Sequence, residues 1–84
     1  MTSVYSPAGV MARILEVLVA SGGTIKDAEL FEILRRDYNI TFQDLIRYLM
    51  ILEIRGFISV SASRENVRVV SITRYGKEQL GIRD

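Results

Sequence analysis

LEIRGFISV, residues 52–60, contains a helix ending, a stop and a strand beginning. Before Gly56, apolar residues recur at helical spacing: Leu45, Ile46, Leu49 and Leu52 make one buried stripe. After it the period becomes two, with Ile58, Val60 and Ala62 alternating against Ser59, Ser61 and Ser63. A glycine at such a junction supplies the left-handed residue on which many helices end. The nine letters therefore predict a helix running to about Arg55, then a strand.

Upstream, Thr41-Phe42-Gln43-Asp44 places an acid three residues after a hydroxyl, close to a capping box that opens this helix. Gln43, Asp44, Arg47, Tyr48 and Ile51 are left largely outward. A preceding helix carries Ala28, Leu30, Phe31 and Leu34 inward and Arg35-Arg36 in its last turn, where cations complement the dipole. It ends near Tyr38-Asn39, since asparagine tolerates the left-handed conformation. Only Ile40 and its neighbours then separate the two helices, which demands a helix–turn–helix corner. Thr24-Ile25 reads either as a short strand or as the lead-in to that second helix. Ser6-Pro7 starts a first helix, whose stripe is Val10, Met11, Ile14, Leu15 and Leu18 and whose stop is Gly22-Gly23.

Downstream, Phe57–Ser63 and Val67–Thr73 flank the turn Arg64-Glu65-Asn66, so the pair reads as a hairpin. Val70 and Ile72 face the core, and Arg68 stands near the tip. Thr73 caps a short last helix holding Tyr75 and Leu80. The expected fold class is α+β: a three-helix core, a two-stranded hairpin and a short C-terminal helix in one domain spanning 1–84.

Composition narrows the chemistry. Eighty-four residues at 49% hydrophobic content suffice for one small core. Cysteine and histidine are both absent, which removes disulfides, thiolate and imidazole catalysis, and the usual zinc ligands. Gly22-Gly23 has no following GK[ST], so no phosphate loop is present. Asp27, Glu29 and Glu32 read as solvated helix-surface acids. No enzyme, cofactor or metal is expected. No apolar run approaches the ~20 residues of a membrane span, and the N-terminus lacks a signal-peptide pattern. With no cysteine, this predicts a cytoplasmic protein. Net charge is only +1, but Arg47–Lys77 holds six basic and two acidic residues, a net +4 against −3 for the remainder.

Two stretches carry a family resemblance. LEIRGFI at 52–58 resembles the LEKRGLI that closes the third helix in the MarR and PadR families and in many archaeal regulators. VSITRYGKEQL at 70–80 resembles the VSLTEKGREL that follows their hairpin. With the spacing between them, the resemblance covers about Ile25 to Leu80 and implies a winged helix-turn-helix. In such proteins Leu52, Gly56, Phe57, Ile72 and Gly76 are structural. The resemblance implies double-stranded DNA as partner and transcription regulation as role, with helix three in the major groove.

Carried onto this chain, the reading surface is Thr41, Gln43, Asp44, Arg47 and Tyr48 on helix three, with Arg64, Asn66 and Arg68 on the wing. Gln43 has the amide fork that pairs with adenine and Arg47 the guanidinium that pairs with guanine. Thr41, Tyr48, Arg64 and Arg68 are candidates for the backbone. Asp44 stands on the groove-facing end but is available for capping. Many relatives dimerise through a long helix after the wing; here the chain stops at Asp84. A homodimer would use the first helix, an exposed apolar patch, or Val4 and Tyr5, which read equally as a hydrophobic staple. The rival expectation is a protein-interaction winged helix anchored by Phe42, Tyr48, Ile51 and Ile54, favoured by the near-zero net charge. A sequence-nonspecific chromatin component is less favoured, because such proteins are usually far more basic.

Overall fold

The computed structural model describes residues 6–82, with the Arg64 side chain excepted. The expectations placed on Val4, Tyr5 and the Arg64 side chain therefore lie outside the described residues. The elements are α1 (Pro7–Ala20), β1 (Thr24–Lys26), α2 (Asp27–Leu34), α3 (Phe42–Ile54), β2 (Ile58–Ala62), a 3-10 turn (Arg64–Asn66), β3 (Arg68–Ile72) and α4 (Arg74–Gln79). The fold is α+β: four α-helices and one antiparallel sheet among the described residues.

Capping decides the helix boundaries. The Ser6 hydroxyl accepts the Gly9 N–H at 3.0 Å, satisfying one orphan donor at the start of α1. At its end, Gly22 at φ +84° lets the Gly23 N–H reach back to the Leu18 carbonyl at 2.7 Å. Gly56, at φ +86°, does the same for α3: its own N–H bonds Glu53 O, and the Phe57 N–H bonds Leu52 O, both at 3.0 Å. This is the Schellman arrangement, in which a left-handed residue satisfies two carbonyls that the helix would leave orphaned. It also swings the chain directly into β2.

The sheet has three strands in the order β1-β3-β2, not the two of a simple hairpin. Thr24-Ile25 is a strand, pairing Ile25 with Val70 and Lys26 with Val69. It satisfies the edge of β3 that the hairpin alone would leave open. In the hairpin, Ile58 pairs with Ile72, Val60 with Val70 and Ala62 with Arg68. Alternation turns Ile58, Val70 and Ile72 inward, and all three are buried.

Against this face pack Val10, Ile14 and Leu18 of α1, Leu30 and Leu34 of α2, and Leu45, Leu49 and Leu52 of α3. Full burial of each such side chain contributes about 1.5–3 kcal/mol relative to exposure.

The middle of the chain departs from expectation. Ala28 is exposed; α2 buries Leu30 and Leu34 together with its first residue, Asp27, and Phe31 is half-buried. The helix stops at Leu34, so Arg35 and Arg36 follow it instead of forming its last turn. The Tyr38 N–H closes back on Leu34 O at 2.9 Å. Asn39 is not left-handed; among the described residues only Glu65 and Asn66 combine a side chain with positive φ. The connection to α3 thus spans residues 35–41, longer than the predicted corner, and Ile40 is buried within it.

The short last helix is capped by Thr73 as expected and ends with Leu80 as its C-cap. Tyr75 and Leu80 are exposed, and α4 seats itself through buried Gly76 and the Thr73 cap.

Candidate nucleic-acid interface

The opening turn of α3 is a closed capping box. The Thr41 hydroxyl accepts the Asp44 N–H at 3.1 Å, and the Asp44 carboxylate accepts the Thr41 N–H at 3.0 Å. That backbone bond, joined by the Thr41 hydroxyl and the Arg47 charge, holds the Asp44 carboxyl below its ordinary value despite partial desolvation. Thr41 and Asp44 are therefore both engaged in building the helix. Arg47 sits 3.9 Å from Asp44, with its side chain mostly in solvent.

Positions 43, 47, 50 and 54 recur at helical spacing along the exposed face of α3. The face has two halves. Gln43 and Arg47, nearest the N-terminus, are polar. Met50 and Ile54 are apolar, and Ile54 is 82% exposed. Tyr48 is half-buried against the core and Ile51 is half-buried, so neither belongs fully to the outward surface. Phe42 stands edge-on to Phe31, with ring centroids 5.5 Å apart. Met50 was missed in the sequence reading, although its spacing from Arg47 and Ile54 puts it on the same stripe.

The hairpin tip consists of the turn at 64–66. Glu65 and Asn66 are exposed with φ +66° and +62°. Asparagine tolerates that region better than most side chains. Ser63 closes the turn, its N–H bonding Val67 O at 2.7 Å.

Arg68 lies below the tip as the first residue of β3. Alternation puts it on the inward face with Val70 and Ile72, and its guanidinium lies 3.5 Å from Asp27 Oδ2. Asp27 is 5% exposed, a buried acid and not the solvated one expected. Glu29 and Glu32 are exposed as expected. Between α3 and β2 runs a groove of about 350 Å³ floored by Leu49, Met50, Val60 and Ala62. Glu53, on its wall, accepts the Val60 N–H at 3.3 Å.

Among the described residues no group of three or more acids could hold a metal ion, and no helix is long and apolar enough to cross a membrane. Comparison with models of known families finds no family that matches this chain, and comparison with curated proteins and with solved structures finds no match to either.

Proposed function

We propose that this chain is a winged helix-turn-helix protein that binds double-stranded DNA and serves in transcription regulation. The α3 N-terminus would enter the major groove, and the β2–β3 hairpin would act as a wing against the backbone or minor groove. The observation that carries this reading is the placement of Gln43 and Arg47. They stand one turn apart on the exposed face of α3, in its N-terminal half, where base edges are read. An amide fork beside a guanidinium fork suits adenine next to guanine. The element order and the resemblance at 52–58 and 70–80 support the same assignment. Asn66 and Arg64 at the turn are the proposed backbone contacts of the wing.

The test is fluorescence anisotropy of the whole chain on random-sequence duplex DNA at about 50 and 200 mM salt. A steep loss of affinity with salt is expected, since lysine and arginine contacts release condensed counterions. Absence of binding at the lower salt overturns the reading.

One observation favours a second reading. Met50 and Ile54 expose apolar surface on the same face, beside the apolar groove against β2. A protein-binding winged helix would use that half of α3, and failure to bind duplex DNA would direct attention there.

A further inference from the structure

We infer that Asp27 and Arg68 form a clamp that fixes the wing against the helical body, and that Arg68 is a positioning residue which acts on DNA binding through the clamp. This rests on the DNA-binding reading above.

The hairpin outruns its support. β1 ends at Lys26 opposite Val69, so beyond that register β3 pairs with β2 alone. Arg68 is the next residue out, and its partner across the hairpin is Ala62. Arg68 lines the groove together with Leu49, Met50 and Val60. Its head reaches the first residue of α2. Asp27 is built to receive it. One carboxylate oxygen accepts the Ala28 N–H at 2.8 Å, and the other faces the guanidinium.

The Asp27 side chain is only 8% exposed and that of Arg68 45%. Removing the cation would leave a carboxylate shut away from water without its counter-charge, which is strongly unfavourable. The opposite flank has a matching tether, since Glu53 of α3 holds the Val60 N–H of β2. Two acids from the body thus grip the two strands of the wing, Glu53 at the middle of β2 and Asp27 at the outer end of β3. Arg68, committed to one of them, has its charge already answered, and a phosphate approaching it would also meet Asp27.

The experiment compares wild type with D27N, R68Q, the double variant and R68K. These substitutions keep most of the side-chain volume, so the core is preserved. Duplex anisotropy across a salt series is combined with amide hydrogen exchange of residues 58–72. Each single variant is expected to weaken binding about three- to tenfold, and the double no more than the worse single, because coupled residues are not additive. The slope of log affinity against log salt stays unchanged, R68K retains most of the affinity, and hairpin amides exchange faster in D27N and R68Q while those of α1 do not.

Two results overturn the clamp. In one, R68Q lowers the salt slope by about 0.9 while D27N binds tighter, which makes Arg68 a phosphate contact restrained by Asp27. In the other, hairpin exchange is unchanged in both variants. Faster hairpin exchange in both, in a protein that fails to bind duplex at all, supports the clamp and removes only the DNA reading.

Discussion

The backbone of Gly76 in α4 lies against the carbonyl oxygen of Phe57 so closely that a β-carbon at this position would overlap it. The obstacle is main chain, held by the Thr73 N–H at 2.9 Å, and a rotamer change cannot relieve it. Gly76→Ala should therefore push α4 off the start of β2 and cost about 1–3 kcal/mol. Thermal unfolding followed by circular dichroism would read this as a lowered Tm, by about 4–8 °C per kcal/mol for a domain of this size.

Gly56→Ala acts by another route. Nothing but the Tyr75 ring, 3.6 Å away, meets a β-carbon there, but the residue sits at φ +86°. The expected loss is about 1 kcal/mol, from backbone conformation alone. Gly56→Asn should be milder, because asparagine visits the left-handed region more readily. Urea midpoints of the two variants would rank them.

Thr73 joins three segments. Its hydroxyl accepts the Gly76 N–H at 2.9 Å and lies within hydrogen-bond reach of the Gly56 and Phe57 carbonyls. Thr73→Val keeps the shape and removes these bonds, at an expected cost of about 1–2 kcal/mol. A melt equal to wild type would show that the hydroxyl is not needed to dock α4.

Asp44 makes the start of α3 sensitive to acid. Its carboxyl is held below the ordinary value of 3.8, first by the hydrogen bond from the Thr41 backbone. A depressed folded pKa means stability that is present above the unfolded value and is lost as pH falls through the folded one. The gap in urea midpoint between wild type and Asp44→Ala should be constant near neutrality. It should begin to narrow as pH drops toward 3.8 and continue to close below it.

Arg47→Ala should weaken duplex binding by about 1–3 kcal/mol and relax the preference for guanine at one position, the signature of a lost base-reading fork. Gln43→Ala should leave the salt slope unchanged and alter preference among sequences, measured by selection from a random duplex pool.

The parts of this fold visible in the sequence are those with local causes. Ser6-Pro7 and Thr41 with Asp44 open helices, and Gly22 and Gly56 close them, each through bonds within a few residues. β1 was undecidable for a physical reason: three residues carry no period, and their pairing depends on the distant β3. The burial of Asp27 was invisible for the same reason, since its counter-charge comes from the far side of the chain. The position of Arg68 was legible. The alternation that turns Val70 and Ile72 inward puts Arg68 on the same face, next to the tip as expected, and only its ion pair with Asp27 was not foreseen. On α3, helical spacing placed Gln43 and Arg47 outward correctly, and the same spacing applied one step further would have found Met50.

The hydrogen bond from Val60 to Glu53 has a consequence for how copies of this protein behave together. β2 is an edge of the sheet, and such an edge is a template on which another chain can add a strand. Here a carboxylate from α3 sits where the carbonyl of an incoming strand would have to bond. The opposite edge, β1, offers three residues only. Neither rim gives a long, open row of backbone donors and acceptors, so growth of the sheet from molecule to molecule into fibres is blocked on one side by charge and on the other by shortness.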